Sequence, residues 1–247
     1  MTPILELQDL SFRYEGGLPG EKVLDALTFA VAPGERVGLV GCNGVGKSTL
    51  LKILVGILPI QTGALTVGGL PMERKNLAEI RRKVGYIFQD SDSQLFMPTV
   101  RAYVAFAAEN YGYPPEEVAA RTRRALTAVH MEHCADRPVY RLSGGQKKLA
   151  SIAGILTLDP ALILMDEPSA ALDPRNRRAL IGILNALPCA KLIASHDLDF
   201  IYDTCDRVLL LHHGQLAADG PAREILCDKT LLEKCELELP LRWQRDF

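Results

Sequence analysis

A glycine-rich segment between two mostly apolar runs constrains this chain more than any other feature. Residues 41–49 read Gly-Cys-Asn-Gly-Val-Gly-Lys-Ser-Thr, which matches the pattern G-x-x-x-x-G-K-S/T. The apolar runs 36–40 and 50–54 flank it, which predicts a strand, a loop and a helix in that order. The glycines let successive backbone N–H groups point at one anion, and the helix adds its positive N-terminal end. The segment therefore predicts a loop that binds the phosphates of a nucleoside triphosphate.

The polar residues of this loop have separate chemical uses. Lys47 supplies a positive charge for the terminal phosphates, and the Ser48 hydroxyl can ligate Mg²⁺. We expect the nucleotide to contact the whole loop, which comprises Gly41, Cys42, Asn43, Gly44, Val45, Gly46, Lys47, Ser48 and Thr49.

Composition limits the classes of protein to which the chain can belong. Its 247 residues are 48% hydrophobic and 23% charged, which suits one large domain or a domain with a substantial subdomain. The net charge of −2 gives no reason to expect nucleic-acid binding. No apolar stretch reaches the roughly 18–20 residues that span a bilayer, and the N-terminus lacks a signal-peptide pattern. We expect a cytosolic protein that reaches a membrane only through a partner.

Strand and helix patterns alternate along much of the chain. Segment 4–14 reads as a strand with a bulge or kink at 8–9, where the alternation of apolar residues slips. From residue 161 onwards strands and helices alternate, which is typical of a mainly parallel sheet with helices on both faces. The block 99–139 is helical and more polar, and it interrupts the alternation as a helical subdomain.

A second motif places two carboxylates at the end of an apolar run. Residues 162–167 read Leu-Ile-Leu-Met-Asp-Glu, which predicts a central strand whose tip faces the phosphate-binding loop. Asp166 suits a direct or outer-shell contact to Mg²⁺, and Glu167 can orient and deprotonate water for attack on the γ-phosphorus.

A third motif, Leu-Ser-Gly-Gly-Gln at 142–146, has two interpretations. Ser143 as N-cap and Gln146 three residues later form a capping box, which explains the motif as a helix start alone. Alternatively, the two glycines expose backbone N–H groups at a helix N-terminus and make a second anion site. Two half-sites in one chain indicate that each is completed by another copy of the molecule.

The chain resembles the ATP-binding cassette (ABC) ATPases along nearly its whole length. The matching elements, in the family's order and spacing, are GCNGVGKST, Gln89, LSGGQ, LILMDE, Ser169-Ala170-Ala171-Leu172-Asp173 and Ser195-His196-Asp197. The resemblance implies an α/β fold of the P-loop NTPase type, with a mainly parallel central sheet, an N-terminal antiparallel β subdomain and an inserted α-helical subdomain. It implies one domain over 1–247, in which approximately 1–90 and 140–220 form the nucleotide-binding core, 91–139 the helical subdomain and 221–247 a C-terminal helical tail.

The resemblance also implies an ATPase that uses ATP and Mg²⁺, with roles for single residues. Tyr14 is expected to stack on adenine, and Gln89 to sense the γ-phosphate through Mg²⁺ and water. His196 is expected to hold the γ-phosphate and the attacking water. The implied catalytic residues are Glu167, His196, Lys47 and Gln89, and the implied Mg²⁺ ligands are Ser48, Gln89 and Asp166.

Further implied contacts cross between two subunits. Ser143, Gly144 and Gly145, with Gln146 beside them, are expected to contact the γ-phosphate bound to the opposite subunit, and Asp173 to lie at the dimer seam. The second ATPase subunit is expected to be an identical chain, or else a related one.

The segment Phe-Gln-Asp-Ser-Asp-Ser-Gln-Leu-Phe at 88–96 resembles that of the energy-coupling-factor ATPases, which drive bacterial uptake of cobalt, nickel and vitamins. Leu187-Pro188 and the tail Leu-Glu-Leu-Pro resemble the transition-metal members. The resemblance implies an ATPase subunit of a cobalt or nickel importer. The alternatives are a vitamin importer of the same type, another ABC transporter, or a non-transport ABC ATPase.

This resemblance also sets the expected partners and location. Transmembrane subunits are expected to dock near Gln89 and residues 91–106, and no nucleic-acid partner is expected. The chain would then lie at the cytoplasmic face of a prokaryotic cell membrane, as a peripheral subunit.

Overall fold

The structure is a computed structural model that describes residues 2–16, 22–90 and 94–244. Its strands are β1 (Leu5–Phe12), β2 (Leu24–Val31), β3 (Arg36–Val40), β4 (Thr62–Val67), β5 (Leu70–Pro71), β6 (Val84–Ile87), β7 (Leu162–Asp166), β8 (Ala190–Ala194), β9 (Arg207–His212) and β10 (Gln215–Pro221). Its α-helices are α1 (Lys47–Leu54), α2 (Leu77–Lys83), α3 (Val100–Asn110), α4 (Pro115–Ala128), α5 (Gly144–Leu156), α6 (Pro174–Ala186), α7 (Leu198–Thr204), α8 (Ala222–Cys227) and α9 (Lys229–Lys234).

The larger sheet carries the predicted motifs. Its strand order is β10-β9-β3-β8-β7-β6, in which all neighbouring strands are parallel except β9 and β10. Strands β7 and β8 are buried along their whole length, as expected for a parallel sheet covered on both faces. The parallel arrangement brings the carboxyl ends of β3, β7 and β8 to one edge. The predicted fold class is confirmed.

The smaller sheet is antiparallel, with the strand order β2-β1-β4-β5. The predicted bulge in β1 is present: the register with β2 shifts between Leu7 and Leu10, and Asp9 has a φ of 48°. The Asp9 N–H, displaced from the ladder, donates instead to the Thr28 hydroxyl at 2.9 Å. The bulge therefore keeps the Asp9 N–H paired while it changes the buried face of β1.

Helices α3, α4 and α5 pack on one another. Buried side chains of all three helices, among them Val104, Leu126 and Ile152, belong to one apolar cluster, and Ala105, Ala108 and Val118 of α3 and α4 form a smaller one. The predicted division assigns α5 to the nucleotide-binding core, although α5 contacts both α3 and α4. That division remains a prediction, and the parts of it at residues 1, 17–21, 91–93 and 245–247 lie outside the described residues.

The C-terminal segment is helical over α8 and α9 and then packs on α7. Arg242 bridges two carboxylates of α7, with Nε 2.5 Å from Asp199 and Nη2 2.7 Å from Asp203. The Trp243 ring contacts the edge of Tyr202 at a centroid distance of 4.9 Å. The tail is thus attached to the helix that follows the Ser195-His196-Asp197 motif. Among the described residues, no helix combines the length and the apolar character needed to cross a bilayer.

Candidate nucleotide site

The loop between β3 and α1 has the conformation that its glycines predict. Gly46 precedes α1 with a φ of 108°, a conformation that residues with a side chain rarely adopt. A Cβ at this position would lie only 2.9 Å from the Val23 carbonyl oxygen. Both the backbone angle and the close approach of β2 therefore require glycine here.

Lys47 is buried inside this loop. Its ammonium donates to the carbonyl oxygens of Gly41 at 2.7 Å and Cys42 at 3.1 Å. Burial lowers the pKa of Lys47, and the nearby Glu167 carboxylate opposes that shift. The loop therefore concentrates a fixed positive charge beside the N-terminus of α1, which suits an anion.

Glu167 follows β7 and is held by donors from the end of β8. The Ser195 hydroxyl donates to its Oε2 at 2.8 Å, and the backbone N–H of His196 donates to its Oε1 at 3.1 Å. The His196 Nδ1 lies 2.9 Å from the same Oε2. Glu167 also has a φ of 45°, a strained value for a residue other than glycine or asparagine. The carboxylate is buried and oriented, and it contacts His196, the residue that the resemblance expects to hold the γ-phosphate and the attacking water.

The residues beside Glu167 fit a magnesium ion. Asp166 Oδ1 is buried and has no hydrogen-bond partner. Burial raises the pKa of Asp166, whereas the Ser48 hydroxyl and the Lys47 charge lower it. A carboxylate and a hydroxyl are the hard oxygen donors that Mg²⁺ prefers. An unpartnered carboxylate oxygen next to such a hydroxyl is what a cation would satisfy.

Residues distant in sequence line one cleft of about 490 Å³ at the carboxyl edge of the sheet. The lining residues are Tyr14, Val23, Asn43, Gly44, Gly46, Lys47, Ser48, Thr49, Gln89, Glu167 and His196. The other residues predicted for this half of the site, Gly41, Cys42, Val45 and Asp166, do not line the cleft; Cys42 is half-buried and the other three are buried. The volume is in the range of ordinary ligand pockets.

Tyr14 follows β1 and is 45% exposed, so it is not the core residue that its strand pattern alone would indicate. Its hydroxyl lies 3.0 Å from the Thr49 hydroxyl, and its ring contacts the edge of Phe12 at 5.1 Å. The ring is therefore fixed at the rim of the cleft with a large part of its surface available for stacking.

The Ser143–Gly145 loop lies outside this cleft. Both hydrogen bonds of the predicted capping box are present, from Ser143 N–H to Gln146 Oε1 and from Gln146 N–H to Ser143 Oγ. Ser143 and Gly144 are exposed, whereas Gly145 packs so closely on Asn176 that a Cβ would lie 2.8 Å from that side chain. Asn176 in turn donates to Asp173, the N-cap of α6. The capping box is therefore present, and the helix start that it stabilises is still exposed at Ser143 and Gly144.

Sequence reasoning did not assign a role to three residues near the site. Val23 lines the cleft, and Ser195 holds Glu167. Lys148 is 3% exposed and donates to the carbonyls of Phe88 and Gln89. Burial lowers the pKa of Lys148 to about 8. Only Ser195 had a signal in the sequence, since it belongs to a motif that matches the family.

Comparison with known proteins decides the family. A family profile described as ABC transporter matches residues 24–170, which is more than half of the chain. The chain belongs to the ABC transporter family. As an ABC transporter ATP-binding chain, it binds ATP and hydrolyses it.

Relatives extend the similarity of this ABC ATPase over almost the whole chain. A Geobacter sulfurreducens protein classed among ABC transporter ATP-binding proteins is 45% identical, over 98% of this chain and 96% of the relative. The energy-coupling factor transporter ATP-binding protein EcfA of Methanocaldococcus jannaschii is 40% identical, over 96% of this chain and 86% of the relative. The solved structure of CbiO1 from Clostridium perfringens, part of the ABC transporter complex CbiONQ, superimposes with a TM-score of 0.84. It is 34% identical, over 94% of both chains.

Proposed function

We propose that this ABC ATPase powers the uptake of a transition metal ion, cobalt or nickel, through an energy-coupling-factor importer. Its similarity to EcfA and to CbiO1, a component of a transporter complex, supports a transport role. The sequence resemblance to the transition-metal members at Leu187-Pro188 and in the tail supports the cargo. The chain would act at the cytoplasmic face of the membrane, as a peripheral subunit.

The cleft supplies the parts that such an enzyme needs for binding ATP. In our proposal Tyr14 stacks on adenine, the loop 41–49 surrounds the phosphates and Lys47 neutralises the terminal ones. Ser48, Gln89 and Asp166 would hold Mg²⁺, which when bound neutralises charge on the β- and γ-phosphates. The Lys47 ammonium, held by the Gly41 and Cys42 carbonyls, would orient the triphosphate together with the loop.

Hydrolysis is assigned to the tip of β7. Glu167 would accept the proton of the attacking water, because its oxygens are oriented at the edge of the cleft by Ser195 and the His196 backbone. His196 would hold the γ-phosphate and orient the water. Gln89 would report the presence of the γ-phosphate to the membrane partner.

One observation carries the proposed mechanism: Ser143 and Gly144 present an exposed helix N-terminus that does not line the cleft of their own chain. Two copies arranged head to tail would let each loop bind the γ-phosphate held by Lys47 of the other. ATP then joins the two subunits and its hydrolysis releases them.

An aromatic groove lined in part by Tyr86, three residues before Gln89, is the proposed docking site for the membrane subunits. Phe96 is 62% exposed and packs edge-on against Tyr103 and Phe106, with ring centroids 5.9 and 4.9 Å away. These rings and Arg82 line one cavity. Exposed aromatic side chains next to an arginine are typical of a protein interface. Of the predicted docking region 91–106, residues 91–93 lie outside the described residues.

Glu167→Gln tests the mechanism in the purified protein. The amide cannot accept the proton, so we expect ATP binding to persist while hydrolysis falls by at least about 100-fold. The variant should elute from gel filtration as a dimer with MgATP and as a monomer without nucleotide. Normal turnover, or a monomer at saturating ATP, would contradict the proposal.

The same variant tests the cargo in cells of the source organism. With Glu167→Gln in place of the natural residue, we expect loss of radiolabelled cobalt or nickel uptake and unchanged vitamin uptake. Loss of vitamin uptake instead would favour a vitamin importer. Uptake unchanged for all these solutes would contradict the proposed cargo.

A further inference from the structure

The backbone that presents Gln89 leaves the sheet just before this residue. Strand β6 pairs with β7 only as far as Ile87, so the carbonyls of Phe88 and Gln89 have no partner in the ladder. The Lys148 ammonium donates to both of them, at 2.9 Å to Phe88 and 3.0 Å to Gln89. These two contacts join residues that are 60 and 59 positions apart in sequence.

A local contact holds the other side of this segment. The Gln94 side chain donates to the Tyr86 carbonyl at 3.1 Å and accepts from the Phe88 N–H at 3.4 Å. These contacts span only eight and six positions in sequence. Lys148 ties the segment to a different element, because it lies on α5.

Burial of Lys148 makes its hydrogen bonds energetically important. Lys148 is only 3% exposed, and an ammonium removed from water is costly unless its donors are paired. Two carbonyl oxygens therefore fix the ammonium, and the ammonium fixes them. Helix α5 begins at Gly144, one residue after Ser143, and Lys148 lies in its second turn. A displacement of the helix start would move the Lys148 ammonium with it.

We propose that Lys148 is a positioning residue for Gln89, and that it connects the backbone of Gln89 to the exposed Ser143–Gly145 loop on the same helix. The inference rests on the roles proposed above for Gln89 and for that loop. When the loop binds a γ-phosphate on the partner subunit, α5 shifts and Lys148 moves the Gln89 backbone. The occupancy of one nucleotide site is thereby transmitted to the other.

Lys148→Met tests this step, because methionine keeps an unbranched side chain and removes all donors. We expect kcat for ATP to fall by about 10- to 100-fold, as for a small misplacement of a reacting group. The KM for MgATP should change by less than about threefold, since the phosphate loop is untouched. Lys148→Arg keeps donors and should restore part of the lost kcat.

Lys191→Met is the matched control. Lys191 is 1% exposed and its ammonium also donates to two carbonyls, those of Leu187 and Cys189, away from the cleft. Both variants should lose thermal stability to a similar degree, whereas only Lys148→Met should lose kcat. Hydrogen exchange in segment 84–90 should accelerate in Lys148→Met alone. Equal losses of kcat in the two variants would overturn the proposal.

A double-mutant cycle with Gln89→Ala separates this inference from the proposed function. If Lys148 acts through Gln89, Lys148→Met should lower kcat much less in the Gln89→Ala background than in the natural one. If Gln89→Ala lowers kcat, and Lys148→Met lowers kcat in that background by the same factor as in the natural protein, only the Lys148 inference is wrong. If Gln89→Ala leaves kcat unchanged, the role of Gln89 is wrong and the Lys148 inference falls with it.

Discussion

Glu167 is a buried carboxylate whose orientation depends on the residues that follow β8. One oxygen accepts from the Ser195 hydroxyl at 2.8 Å, and the Ser195 hydroxyl also accepts from the Asp197 N–H at 3.1 Å. The Glu167 N–H donates to the Ala194 carbonyl at 2.8 Å. Side chain and backbone are therefore both fixed by one neighbouring strand end. The left-handed backbone of Glu167 is held in place by these contacts.

Ser195→Ala should therefore reduce activity without touching the nucleotide. Removal of the hydroxyl leaves a buried Glu167 oxygen with one donor fewer, which costs about 1–3 kcal/mol of unfolding free energy. The carboxylate also gains freedom to turn, so we expect kcat to fall by about tenfold while nucleotide affinity is retained. Steady-state kinetics and equilibrium nucleotide titration measure the two effects.

Thr157→Val is the control for Ser195→Ala. The Thr157 hydroxyl is also fully buried and donates to the Gly154 carbonyl at 2.7 Å, at the far end of α5. The control should lose stability and keep its kcat. A Ser195→Ala enzyme with natural kcat would show that Glu167 does not depend on this hydroxyl for its orientation.

Glycines inside helices show how the elements fit together. Gly154 lies in α5, where glycine is intrinsically unfavourable, and a Cβ there would lie 2.7 Å from the Tyr103 ring of α3. Gly182 lies in α6, where a Cβ would meet no atom within 4 Å. Close packing of α3 on α5 explains the first glycine, and no contact explains the second.

The two positions should respond to alanine in opposite directions. Gly154→Ala should lower the free energy of unfolding by about 1–3 kcal/mol, because the Tyr103 ring has to move. Gly182→Ala should raise it by up to about 1 kcal/mol, because alanine favours the helix. Chemical denaturation of both variants, side by side with the natural protein, measures the difference. Equal changes of the same sign would contradict the packing argument.

Features set by neighbours in sequence could be predicted at this scale. The bulge in β1 and the capping box of α5 each depend on residues within a few positions, and the structure contains both. Strand β10 was not predicted. The residues that alternate between its two faces are small and weakly apolar, and the segment becomes a strand because it pairs with β9. Lys148 was not predicted either. A lysine reads as a solvated residue unless its remote acceptors are known.

At the scale of the whole molecule, both sheets contribute to the nucleotide cleft, since Tyr14 and Val23 adjoin strands of the smaller sheet and Glu167 follows a strand of the larger one. Arg207 at the start of β9 joins them, with its Nη1 donating to the Ala30 carbonyl of β2 at 2.9 Å and to Glu35 at 3.0 Å. One apolar cluster fills the space between the sheets and another lies under α3–α7. The Ser143–Gly145 segment of the same chain does not line this cleft in the described structure.

If two chains arranged head to tail share each nucleotide site, two inactive variants should restore activity when they are mixed. Lys47→Ala removes the phosphate charge from one half-site, and Ser143→Arg blocks the other with a bulky cation; each variant alone should be inactive. In an equimolar mixture, half of the dimers contain both variants, and each such dimer has one intact site. About one quarter of the natural ATPase activity should therefore return, if the dimer is symmetric and subunits exchange freely.

The control is a mixture of Lys47→Ala with Glu167→Gln, which has both defects in the same half-site and should stay inactive. Recovery in the first mixture and not in the second requires that two chains share each nucleotide; if each chain held a complete site of its own, neither mixture would recover.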